Sequence, residues 1–312
     1  MAAKPKGFLL IRGRYRVLGK NKSGTVTGFQ PDGDSLHFQP DNPKLLDQLK
    51  QVGFAYRLSL IKSTQLRFEG IDALELHYQA AGGNTHQPRP LADTERDRLL
   101  THARVAPVTF VPPANLTARP PAPNDGSRGY ILSRSLEVHG RPVAFAFQGA
   151  APSADGSHVH LDAALLRRSL NYDMLASGNA YPLFYETLFY DLRAVLQRAV
   201  KTARVHKRGL WAQGVDVTRT GVPAQARAVL EARGVCFPKL FRRIAEYQGT
   251  GGKLKDFRDW LEAKDEAVQD LETGQDTHFD TFVTVKGTKV SLTKDPMQLK
   301  FYGAKTTKAA WL

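Results

Sequence analysis

The chain has 312 residues, 42% of them hydrophobic, and carries 44 Lys and Arg against 30 Asp and Glu, a formal charge of +14. That length buries a substantial core and exceeds one small barrel, so an elaborated domain or two domains are expected. The basicity suits a polyanionic partner, and the single cysteine, Cys236, excludes an internal disulfide and a thiolate zinc cluster.

The charge is uneven. Met1 to Ala212 carries about 28 basic and 17 acidic residues, whereas Gln213 to Leu312 carries about 16 and 13. A basicity that serves a substrate therefore belongs to the first two thirds. The apolar run Phe8-Leu9-Leu10-Ile11 ends at Arg12, too short for a signal-peptide core, and no stretch reaches a membrane-spanning length. The expectation is a cytoplasmic protein with no membrane partner.

In chain order, strand-compatible residues come first, at Arg14 to Leu18, Thr25 to Phe29 and Ser35 to Phe38, separated by turn-rich pieces. Asn42 is placed to cap a helix through Gln51, before a strand-like pattern from Tyr56 to Ile71. A helix over Asp93 to Ala103 precedes an apolar strand, Val105 to Val111, and an exposed loop, Pro112 to Gly126. Gly129 to Val138 and Arg141 to Phe147 flank His139-Gly140 and read as a hairpin. Helices over Asp162 to Ser177 and Leu183 to His206 follow. Beyond Val215 come helices over Pro223 to Arg233, Pro238 to Tyr247 and Leu254 to Glu262, then strands over Phe279 to Val285 and Lys289 to Leu292. Strands first and helices afterwards predict an α+β domain with a barrel-like sheet over residues 1–213, with insertions at about 39–63 and 112–128. Residues 214–312 read as a mostly helical extension ending in a β-hairpin.

Three short pieces carry the candidate chemistry: Asp32-Gly33-Asp34-Ser35, the segment from Arg67 to Glu75, and the segment from Glu137 to Phe145. With Asn171 to Gly178 and Arg208-Gly209-Leu210-Trp211 following in this order, they resemble the staphylococcal nuclease family over about Tyr15 to Trp211. The resemblance implies an OB-like five-stranded β-barrel with packed helices. Position by position, it assigns Arg67, Glu75 and Arg141 to catalysis, and Asp34, Asp72 and the carbonyl of Ala73 to a Ca2+ ion. His139, Tyr181 and Tyr185 fall at substrate-binding positions. Ala73 stands in place of a threonine, Leu74 in place of the proline that stiffens the loop, and Val138 and His139 in place of a lysine and a tyrosine that touch a terminal phosphate.

The residue types suit that chemistry in their own right. Calcium takes oxygen ligands such as Asp34 and Asp72, and Glu75, three residues beyond Asp72, can serve as a general base. Arg67 and Arg141 stay charged and grip phosphate oxygens in bidentate fashion. Of the nearby aromatics, Phe184 and Phe189 read as helix core, whereas Tyr181 and Tyr185 read as stacking candidates. The function expected is a calcium-dependent nuclease of low sequence specificity acting on DNA or RNA and, by the resemblance, leaving 3′-phosphates. The alternative is a non-catalytic OB-type nucleic-acid-binding or scaffold module, and the extension is a candidate protein-binding part.

Overall fold

The structure, a computed structural model, describes residues 7–303. Residues 1–6 and 304–312, counted above with the nuclease-like part and the extension, lie outside it. The chain is a mixed α+β protein with a nearly closed barrel sheet. It divides into two compact units, and the division does not fall between residues 213 and 214. One unit comprises the residues up to Glu69 together with Arg96–Asp173; the other comprises Gly70–Glu95 together with the residues from Met174 onward.

In the first unit the main sheet runs in the order Thr64–Gln65, His37–Pro40, Phe8–Arg16, Ser127–Leu136, Pro142–Gln148, Arg67–Phe68. Its two edge strands are consecutive in the chain, separated only by the fully buried Leu66. One extended segment therefore bonds to His37–Pro40 on one side and to Pro142–Gln148 on the other, which closes the sheet on itself. All pairings along this path are antiparallel except the closing one, where Val143 lies beside Arg67 and Ala144 beside Phe68 in parallel.

The barrel interior explains the strand pattern. Tyr15, Phe38, Phe68, Tyr130, Phe145 and Phe147 are all fully buried. The Tyr15 hydroxyl donates to the Phe147 carbonyl at 2.8 Å, which satisfies the one polar atom its ring brings inside. Phe8-Leu9-Leu10-Ile11 begins the long first strand, which runs over Phe8–Arg16 rather than starting at Arg14. The helix expected over 42–51 is a 3-10 helix, Pro43–Gln48, capped by the Asn42 side chain; Lys50–Gln51 leaves it to pair with Ser135–Leu136. Residues 56–63 form a loop, not a strand, and Val105 to Val111 yields only the two-residue strand Thr109–Phe110.

The second unit is built on the amphipathic helices Tyr190–Val205 and Pro238–Gln248, whose buried faces carry Leu192, Val195, Leu196 and Val200, and Leu240, Phe241 and Ile244. Leu183 to Phe189, expected to be helical, instead supplies the strand Phe184–Tyr185 to a sheet ordered Phe184–Tyr185, Leu299–Phe301, Ala267–Asp270, Asp276–His278. A second small sheet joins Val222–Pro223, Lys289–Leu292 and Val283–Lys286, so the extension is more β-rich than a helical segment with one hairpin. The short strand Ile71–Asp72 pairs with Tyr181–Pro182 inside this unit. That pairing explains why Gly70–Glu95 folds with the carboxy-terminal residues.

Candidate functional site

In the first unit the barrel closure positions the candidate phosphate clamps. Backbone bonds from Leu66 N to Leu36 O, 3.0 Å, and from Phe68 N to Asp34 O, 3.1 Å, lay residues 34–36 alongside 66–68. Asp34 therefore sits beside Arg67, and their side chains form an ion pair. The register Arg67↔Val143 brings Arg67 within two residues of Arg141, across 74 residues of sequence. Phe68 and Ala144 point into the core, so Arg67 and Val143 share the outer face.

Arg141 ends the tight turn 137–141. Glu137 Oε1 accepts from the backbone N–H of His139 at 3.0 Å, from that of Arg141 at 3.1 Å, and from Arg141 Nε at 3.2 Å. Its guanidinium is thus anchored through Nε, while its two Nη groups have no partner among the described residues. His139 is exposed at the tip of the turn. Arg128, the other arginine near this hairpin, spends its whole fork on Asp41, with Nη1–Oδ1 at 2.8 Å and Nη2–Oδ2 at 2.9 Å.

In the second unit Asp72 is fully buried, Ala73 is buried, and Glu75 is mostly covered. The loop is held without the stiffening proline: Leu74 N donates to Glu95 Oε2 at 2.6 Å and Glu75 N to Gln87 Oε1 at 3.1 Å. The buried Gln87 side chain in turn donates to the carbonyls of Gly234 and Cys236. Gly70 starts the segment at φ +79°, where a Cβ would stand 2.6 Å from Leu196 Cδ1, so glycine is required there.

The carboxylates of Asp72 and Glu75 meet a cation that sequence reading missed. Arg242, on the helix Pro238–Gln248, reaches Asp72 Oδ1 with Nη1 at 3.2 Å and Asp72 Oδ2 with Nη2 at 2.9 Å, and Nη1 also binds Glu75 Oε1. Burial pushes the Arg242 guanidinium down, but Asp72 and Glu75 outweigh it and hold it well above its ordinary value. This decides the fit of a calcium ion. Both oxygens of Asp72 accept from Arg242, and Asp34 accepts from Arg67. Among the described residues no three Asp, Glu, His or Cys side chains converge as a metal site. With their oxygens given to arginines, Asp34 and Asp72 as they stand do not suit a calcium ion.

No protein-family model and no curated protein matches this chain. Among the described residues no helix is long and apolar enough to cross a membrane.

The aromatic candidates differ in placement. Tyr181 is fully buried; its hydroxyl donates to Asp216 Oδ1 at 2.8 Å and its ring packs edge-on against Trp211, so it is a core residue and not a stacking surface. Tyr185 is half-buried, 6.2 Å from the Phe301 ring. Phe184 is core as expected, but Phe189 is 41% exposed and Tyr190 76% exposed. The exposed rings lie at the start of the helix Tyr190–Val205, because the strand Phe184–Tyr185 and the turn after it replace the first turns of the expected helix.

Proposed function

We propose that the chain is a phosphodiesterase of the staphylococcal-nuclease type, an OB-like barrel that hydrolyses nucleic acid with little sequence preference. The observation that carries this reading is the parallel closure of the barrel. It sets Arg67 beside Val143, two residues from Arg141, and leaves the Nη groups of Arg141 without a partner among the described residues. Two guanidiniums on rigid, adjacent backbone suit a phosphoryl group that gains charge in its transition state. The net charge of +14 suits a polyanionic substrate. In this reading Arg67 and Arg141 stabilise the phosphate; the resemblance assigns the general base to Glu75.

A second reading is favoured by Arg242. A general base must accept a proton, and the Glu75 carboxylate already accepts from a guanidinium that also grips Asp72. A chain with that arrangement fixed is a non-catalytic nucleic-acid-binding module. One assay separates the two: end-labelled single and double strands incubated with calcium, with magnesium or with EDTA, alongside Arg67→Met and Arg141→Met. Cleavage by the wild-type chain that both variants lose supports the phosphodiesterase. Strands that are bound and left intact under all three conditions support the binding module.

A further inference from the structure

The first unit contains an open cleft of about 620 Å³ between residues 57–65, a loop running into the edge strand Thr64–Gln65, and the turn 139–141. Its walls carry Arg57, Ser59, Ser63, His37, His139 and Arg141, and no Asp, Glu, Phe, Tyr or Trp is among its lining residues. The two walls are tied together. Phe54 N donates to the Val138 carbonyl at 3.0 Å. A Cβ on Gly53 would come within 2.2 Å of Val138 O, and one on Gly140 within 2.2 Å of Ala55 O. Only glycine at both positions lets the inserted loop dock backbone-to-backbone on the hairpin turn. The floor is ordered as well: Ser59 Oγ and Ser63 Oγ are 2.7 Å apart, and His37 Nδ1 lies 3.1 Å from Ser63 Oγ.

Against this ordered background two guanidiniums are available. Arg57 is exposed and makes no hydrogen bond, ion pair or ring contact among the described residues. Arg141 is anchored by Glu137 through Nε and presents both Nη groups. Arginine forks, hydroxyls and imidazoles with no carboxylate among them are the donor set that recognises phosphate oxygens. No Phe, Tyr or Trp is among the lining residues to serve as a stacking platform for a base. The volume lies in the range of small-ligand sites, which is room for a sugar-phosphate unit.

We infer that this cleft is a phosphate subsite for the backbone of a single nucleic-acid strand, with Arg57 as a substrate-binding residue supplied by the insertion. The inference rests on nucleic acid being the substrate, but not on its cleavage. A strand held here is read through its phosphates, so binding is independent of sequence.

The test is fluorescence anisotropy with a short fluorescein-labelled oligothymidylate in EDTA, over a range of salt. Arg57→Ala, on an exposed loop, is compared with wild type and with Lys255→Ala, a charge-matched change at a residue whose side chain is 76% exposed. Removing one phosphate contact lowers the slope of log K against log salt by about 0.7 for a single strand. The expected result is that Arg57→Ala shows this loss and weakens binding roughly five- to tenfold at low salt, while Lys255→Ala stays within about twofold. An unchanged slope for Arg57→Ala overturns the subsite, and so does an equal loss in the Lys255 variant. A thymidine mononucleotide that competes as well as the strand at equal phosphate concentration overturns the assignment to a strand. Binding that depends on Arg57, without cleavage, leaves the subsite standing and removes only the phosphodiesterase.

Discussion

Arg242 Nη1 and Nη2 contact both carboxylate oxygens of Asp72, at 3.2 and 2.9 Å, across 170 residues of sequence. The guanidinium occupies the side of Asp72 that a calcium ligand would have to offer to the metal. Its own helix is fixed in turn: Arg243 binds Glu266 and Glu246, and Tyr78 also donates to Glu246. The contact is therefore a built part of the second unit.

The first prediction concerns that contact. Arg242→Met keeps the apolar stem and removes the cation, leaving a fully buried carboxylate short of a partner, a change that costs roughly 3–5 kcal/mol. The melting temperature falls accordingly. Millimolar calcium then raises the melting temperature of the variant and not that of the wild type, because a ligand that binds only the folded state stabilises it by mass action. Arg242→Lys keeps the charge and remains insensitive to calcium. Calorimetry with and without calcium reads this directly, and a wild-type midpoint that rises as much as that of Arg242→Met would show that calcium reaches its ligands past Arg242.

The contrast between Arg141 and Arg242 shows what the sequence made legible. Glu137 to Arg141 is a local turn, and its glycine and its i,i+4 acid–base pair are written within five residues, so the hairpin and its arginine were readable. The barrel strands were readable as alternating apolar runs, although the first began at Phe8 because a run of four apolar residues resembles no single-faced strand. Arg242 was not readable, since its meaning depends on partners 167 and 170 residues away. The same holds for Tyr181, whose burial follows from its pairing with Asp72 and its contact with Trp211. Arg57 sat in an insertion read as a strand, and only the docking of Gly53 against Val138 gives it a place.

The second prediction concerns Glu75. Glu75→Gln keeps the shape and the contact with Arg242 but removes basicity. If Glu75 is the base, single-turnover cleavage slows by roughly two to four orders of magnitude while oligonucleotide affinity changes little. A variant that cleaves within a few-fold of wild type removes Glu75 from the chemistry.

The third prediction is a two-stage acid destabilisation. Burial pushes the His37 imidazole down from 6.5 to about 4. Between those values the unfolded chain takes up a proton that the folded chain refuses, so stability falls by about 1.4 kcal/mol per pH unit. Burial pushes Glu266 up, but Lys239 and Arg243 outweigh it and hold it at about 2, below its ordinary 4.5. Its contribution is complete above pH 4.5 and is lost as pH falls from there toward 2. Urea midpoints measured across this range should lose the upper stage in His37→Gln and the lower stage in Glu266→Gln. Equal slopes in the wild type and in both variants would remove these two groups as the cause.

The last prediction decides which arginine beside the hairpin is the second clamp. Arg128 lies on the strand Ser127–Leu136 with both Nη groups bound to Asp41, so its fork already has a planar partner. The Arg141 side chain is held only through Nε by Glu137, and Arg141 lines the cleft. A phosphate that gains charge needs a planar pair of donors at a fixed place, and lysine supplies the charge without the plane. Arg141→Lys should therefore lower turnover by on the order of 10²-fold or more, with a smaller effect on strand affinity. Arg128→Lys exchanges a two-point for a one-point contact with Asp41 on an exposed surface, where such pairs contribute about 1 kcal/mol or less, and turnover should change only a few-fold. Single-turnover rates and anisotropy titrations of both variants on one labelled strand give the comparison. The reverse order would move the clamp to Arg128 and detach the turn 137–141 from catalysis.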